Sequence, residues 1–117
     1  MPVTGALRNH TPHPLVVELD GRVRLVLAPQ PPTPRAVVSR EPDGILRTPA
    51  GPVRLTRTAT TGQVVDLPPP LPGVLLVVAR AVAEAAGRDD LAFPDELVRD
   101  PDGNVVACRA LGRVRRA

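Results

Sequence analysis

The sequence predicts a small α+β protein dominated by β-structure: a rolled sheet or barrel of six to eight short strands with one short helix at about 79–86. Three observations lead there. The apolar runs are short and rich in β-branched Val, the composition of half-buried strands. Turn signals punctuate them at short intervals, including Asp20-Gly21 and two Pro-Asp-Gly triplets that start at Pro42 and Pro101. Only Ala79 to Ala86 has a helix-forming composition, and Gly87 follows it as a C-terminal cap.

Taken in order, Leu15 to Leu19 reads as a strand and Arg22 to Leu27 as its return, joined at Asp20-Gly21. A two-residue loop sets Leu19 opposite Arg22, Val17 opposite Arg24 and Val16 opposite Leu25. One face then carries Val16, Val23, Leu25 and Leu27. The other mixes Arg22 and Arg24 with Leu15, Val17 and Leu19. Pro29 to Pro34 has too many prolines for a helix or a central strand and reads as an extended connector. Arg35 to Arg40 is the next strand, and Glu41-Pro42-Asp43-Gly44 is a turn with Pro second and Gly fourth. Pro52 to Thr58 and Gly62 to Leu67 follow as strands.

Leu67 to Pro72 forms a second stiff connector, and Gly73 to Val78 is the most apolar run and the central strand. In the helix, Val82 and Ala85, with Val78 before them, are expected to face the sheet. Arg88 to Pro94 reads as loop. Glu96 to Arg99, the turn Asp100 to Gly103 and Asn104 to Leu111 make a closing hairpin. Residues 1–111 form one domain, and 112–117, with Arg113, Arg115 and Arg116, form a flexible basic tail.

Composition removes several function classes. The 117 residues carry 15 basic and 12 acidic side chains, a net charge of +3, and every basic residue is Arg. Without Lys there is no Schiff-base or P-loop lysine. One Cys makes neither an internal disulfide nor a Cys-rich zinc site. No apolar stretch reaches membrane-spanning length, and the segment Met1 to Arg8 lacks the pattern of a secretory signal. A cytoplasmic setting is the expectation. Phe93 is the sole aromatic residue, so no platform exists for stacking single-stranded bases. Opposite charges are interspersed along the chain, which places nucleic acid last among the partners.

Few residues remain to carry chemistry. His10 and His13 are the only histidines and, three apart, could ligate a metal with Cys108 or a carboxylate, but the extended path through Pro12 means they need not converge. Asn9, Thr11 and His13 precede the first predicted strand, where loops present polar groups. Arg88, Asp89 and Asp90 follow the helix, where either Asp can meet His13. Cys108 alternates with Val106 and Ala110 and is expected inside as an inert thiol. Ser39 sits in no nucleophile elbow, and no Gly-rich phosphate loop occurs. No cofactor and no metal are expected.

Asn9, Thr11, Pro12 and His13, then Leu67, Pro68, Gly73, Val77 and Val78, then Arg88 to Leu91, Pro94, Arg99, Asp100, Gly103, Cys108, Arg109 and Leu111 form a spaced set of short motifs. In this the chain resembles a group of small uncharacterised proteins from actinobacteria and their phages. Those open with Asn-Leu-Thr-Pro-His and close with Arg-Asp-Asp-Leu and Gly-Cys-Arg-x-Leu segments. His10 stands where the group has an apolar residue, and Ala79 where it has Ser. The resemblance implies an accessory or mobile-element gene and transfers no activity.

The sequence therefore predicts a non-enzymatic binding protein. It holds a partner protein or a small, nucleotide-like anion through Asn9, Thr11, His13, Arg88, Asp89 and Asp90. Two alternatives stand beside it: a hydrolase or transferase using His13 with Asp89 or Asp90, and a DNA-associated protein using Arg22, Arg24 and the Arg113 to Arg116 tail. Exposed strand edges allow a homodimer.

Overall fold

A computed structural model of the chain describes residues 5–20 and 22–115. Gly21 of the expected turn, Arg116 and Ala117 of the expected tail, and Met1 to Thr4 of the segment weighed as a signal lie outside them. The elements run β1 (Ala6–Asn9), β2 (Leu15–Glu18), β3 (Arg24–Leu27), β4 (Arg35–Thr48), β5 (Gly51–Val65), β6 (Val74–Val77), α1 (Arg80–Ala86), β7 (Leu91–Arg99) and β8 (Val105–Gly112). Six of the strands form one mixed sheet in the order β1-β6-β7-β8-β2-β3, while β4 and β5 pair only with each other.

The six-stranded sheet rolls until its two edge strands nearly meet. Alternation along each strand then separates an inside from an outside. Leu15, Val17, Val77 and Cys108 fill the inside, with Leu7, Leu25, Leu27 and Leu111 packed against them. On the outer surface of β6 and β7, Leu76, Leu91 and Phe93 pack beneath Val82 and Ala83 of α1. The helix is capped by Gly87 in the left-handed region, φ 65°, which glycine adopts without a Cβ penalty. Its buried ridge is Val82 and Ala83, with Ala86 packed against the cluster, in place of the predicted Val82 and Ala85.

The β2–β3 register departs from the expected one. Val17 pairs with Leu25 and Glu18 with Arg24, which makes the loop one residue longer. The reason is burial. The predicted register sets Val17, buried inside, opposite a charged Arg24. The observed one stacks Leu15 and Val17 on Leu27 and Leu25, and turns Arg24 out to Glu18 at 3.7 Å. A one-residue slip flips every side chain, and the core decides which slip survives.

The largest departure is the ribbon. Arg35–Thr48 and Gly51–Val65 form one long antiparallel hairpin, where the sequence suggested three shorter strands. The expected turn at Glu41 to Gly44 is a bulge: Pro42 opposes Thr56 and Ile45 opposes Arg54, so Asp43 and Gly44 share the space opposite Leu55. Gly44 takes φ 94° there. Pro42 is tolerated because both strands are edges, so no third strand needs its missing N–H. The chain reverses instead at Pro49 and Ala50, between paired Thr48 and Gly51, where the Thr48 hydroxyl donates to the Gly51 carbonyl at 2.7 Å. Only the ribbon base, around Val64, packs under α1. The remainder projects into solvent and stretches the molecule to 56 × 37 × 29 Å.

Leu91 to Phe93, expected as loop, begins β7 and is buried. Gly112, assigned by sequence to the tail, ends β8 opposite Phe93, and Arg113 donates a hydrogen bond to the Asp89 carbonyl. No helix among the described residues is long and apolar enough to cross a membrane.

Candidate functional site

Three of the six candidate residues meet at the seam of the rolled sheet. Asn9 ends β1 and is 1% exposed. Its Nδ2 donates to the carbonyls of His13 at 2.8 Å and Leu27 at 3.0 Å. Its Oδ1 accepts the Thr11 amide at 3.0 Å and the Thr11 hydroxyl at 2.6 Å. The Gln30 amide also donates to the Asn9 carbonyl, and Arg8 Nε to Gln30 Oε1. Leu27 ends β3, the opposite edge of the sheet, so Asn9 stitches the two edges together. Both donors and both acceptor positions of its amide are occupied within the protein.

Arg88 and Asp90 form a second, separate knot in the link between α1 and β7. The guanidinium grips the carboxylate with two hydrogen bonds, Nε to Oδ1 at 2.9 Å and Nη2 to Oδ2 at 2.5 Å. Its third contact is to the Pro68 carbonyl at 2.8 Å, which ties the proline-rich connector to the helix end. The hydrogen bonds from Arg88 hold the Asp90 carboxyl below the usual carboxylate range, against the opposing effect of burial. Asp89 is exposed, beside this knot.

His13 lies instead at a cleft of about 430 Å³ bordered by Thr11, Leu15, Pro94, Leu97 and Cys108. Neither Asp89 nor Asp90 lines it, so the cleft holds an imidazole and a thiol with no carboxylate. Cys108 is buried, and burial pushes its thiol pKa up, away from the reactive thiolate. Among the described residues no three His, Cys, Asp or Glu side chains converge as metal ligands.

His10 is a residue the sequence gave no reason to bury. It is 3% exposed, with Nδ1 at 3.0 Å from the Pro32 carbonyl, a contact that requires the hydrogen on Nδ1. Its Nε2 is buried without a hydrogen-bond partner.

The ribbon is the other feature that sequence reasoning missed. Its large apolar residues stand in solvent: Ile45 is 62% exposed, Leu46 54% and Val53 47%. Pairing sorts its side chains onto two faces. Leu46 and Val53 share one face with Leu55 and with Asp43, Glu41 and Arg57. Ile45 and Arg54 share the other with Arg47, Pro52, Pro42, Thr56 and Arg40. On the first face Arg57 and Asp43 pair at 3.2 Å. On the second, no acidic residue occurs between Val38 and Ile45 or between Pro52 and Thr60.

Comparison with protein-family models, curated proteins and solved structures yields no match to this chain.

Proposed function

We propose that this is a small non-enzymatic binding protein that grips a macromolecular partner with its projecting ribbon. One observation carries the reading: beyond its base, a long two-stranded arm joins no third strand and exposes Ile45, Leu46 and Val53. A two-stranded hairpin is marginal in water by itself, and clustered exposed apolar groups mark contact surfaces. The rolled body supplies a rigid mount through α1 and the Arg88–Asp90 knot. A small-anion site has less support, because Arg88 is engaged by Asp90 and the cleft at His13 has no arginine in its lining. A hydrolase or transferase site has less support too, because neither Asp89 nor Asp90 lines the cleft that holds His13. The motif likeness to actinobacterial and phage proteins fits an accessory role. The motif residues Asn9, Thr11, Arg88, Asp90 and Cys108 build the body, which leaves the arm to meet the partner.

Site-specific photo-crosslinking in the source cells tests this. A photoreactive residue at Ile45 or Leu46, one on each face of the ribbon, should give an adduct, and one at Asp102, on the β7–β8 turn, should not. Equal labelling at all three sites refutes the ribbon as the gripping element. A melting shift of several degrees with a nucleotide from an anion panel would return the function to a small-ligand site.

A further inference from the structure

We propose that the ribbon face bearing Arg40, Arg47 and Arg54 is a docking surface for double-stranded nucleic acid. This rests on the docking reading above and names the class of partner.

The argument starts from strand pairing. Arg40 opposes Thr58, Arg47 opposes Pro52 and Arg54 opposes Ile45, so all three arginines fall on one face. The acidic residues of β4, Glu41 and Asp43, fall on the other, where Asp43 is already engaged by Arg57. Arg40, Arg47 and Arg54 are all exposed, and none of their side chains has a hydrogen bond or ion pair among the described residues. Three guanidiniums with no carboxylate on their face form a positive stripe that only an external anion can neutralise.

Spacing selects a polyanion. Arg47 and Arg40 sit opposite Pro52 and Thr58, six residues apart on β5, which is roughly 20 Å at about 3.4 Å per residue. A duplex presents one negative charge per about 1.7 Å of axis, so roughly a dozen phosphates face that length. A two-stranded ribbon also fits a duplex groove about 12 Å wide. Thr56, Thr58 and Thr60 lie on the same face and add hydroxyl donors of the kind that bond phosphate oxygens. Ile45, opposite Arg54, and Pro52, opposite Arg47, lie among the arginines and can supply apolar contact of the kind made to thymine methyls in that groove. The described ribbon has no aromatic residue, so it lacks the stacking surface single strands require. That leaves the duplex.

The test is fluorescence anisotropy of the full chain with a labelled mixed-sequence duplex of about 30 base pairs. Three phosphate contacts predict a log–log salt slope near −2.7, or about 40-fold weaker binding at 200 mM than at 50 mM salt. The variant R40Q/R47Q/R54Q should weaken binding at least tenfold and flatten the slope. The triple Lys variant should keep the slope, which separates lost charge from lost folding. R22Q/R24Q, on the body, should bind as the parent does. No duplex binding at 50 mM salt overturns the proposal, and so does a loss confined to R22Q/R24Q. If polyglutamate binds through the three arginines and duplex does not, the partner is an acidic protein: the nucleic-acid assignment falls and ribbon docking stands. Failure of docking itself shows elsewhere, as absent crosslinks from Ile45, which shares the arginine face.

Discussion

Replacing Asn9 by Ala should open the seam of the rolled sheet. The side chain makes four hydrogen bonds, two donated to the carbonyls of His13 and Leu27 and two accepted from Thr11. Each is worth about 1 kcal/mol net, and a buried group left unpaired costs about 1–3 kcal/mol. The Thr11 hydroxyl can turn to the His13 carbonyl, 3.0 Å away, so those two partners satisfy each other. The Leu27 carbonyl and the Thr11 amide are left unpaired. A loss of about 2–4 kcal/mol follows, a large share of the roughly 5–15 kcal/mol by which a domain is stable. Urea denaturation should show a lower midpoint with an unchanged slope, and the melting temperature should fall by about 8–16 °C at roughly 4 °C per kcal/mol. Thr11→Val should cost about 1 kcal/mol alone and no less in the Asn9→Ala background, where the Thr11 hydroxyl is what pairs the His13 carbonyl. An Asn9→Ala loss under about 0.5 kcal/mol would refute the stitch, and a normal Asn9→Ala midpoint with weakened ligand binding would return Asn9 to a binding role.

The Arg88–Asp90 knot gives a pH signature. Asp90 has its folded pKa below the unfolded value of about 3.9, so its stabilisation is complete above that value and fades as pH falls through the folded one. Asp90→Asn should cost about 1–2 kcal/mol at neutral pH, discounted for partial exposure, and should flatten the acid limb of a stability–pH curve; an unchanged limb refutes the knot. At Gly112, a methyl group would sit 2.5 Å from Cε2 of the buried Phe93 ring. Gly112→Ala should therefore cost about 1–3 kcal/mol by overpacking. The cost should shrink in a Phe93→Leu background, and simple additivity in calorimetry would contradict the contact. Cys108, 1% exposed with a raised thiol pKa, should resist a thiol reagent until denaturant is added; rapid native labelling would mean the interior opens.

Local signals were legible and long-range pairings were not. Gly87 marked the helix end, and the Asp100 to Gly103 turn forms as read, with Asp100 Oδ1 accepting the amides of Asp102 and Asn104. By contrast β1 gave no warning, because Ala6 to Asn9 is short and pairs in parallel with Val74 to Val77, far along the chain. The ribbon turn was ambiguous for a definite reason. Thr48-Pro49-Ala50-Gly51 places Pro and Gly in the same positions as Glu41-Pro42-Asp43-Gly44, and only the pairing of the flanks decides between two equal signals. The candidate residues divide between two places, Asn9, Thr11 and His13 at the seam and Arg88 and Asp90 in the link before β7, and Asn9 and Arg88 have internal partners that no sequence shows. The arginine stripe stayed hidden because charges that alternate along the chain segregate by face only once the register is known.

The strand order carries a consequence for synthesis. Only β2–β3 and β4–β5 join neighbours made in immediate succession before β7, whereas β1 waits for β6, and β2 gains its second neighbour only from β8. A chain emerging from the ribosome at about 5–20 residues per second can therefore assemble β1-β6-β7 under α1 and β2-β3 separately, but the two halves of the sheet join only through β8. The sheet closes late, and a nascent chain stalled before Cys108 would present Leu15 and Val17 to chaperones instead of to their own interior.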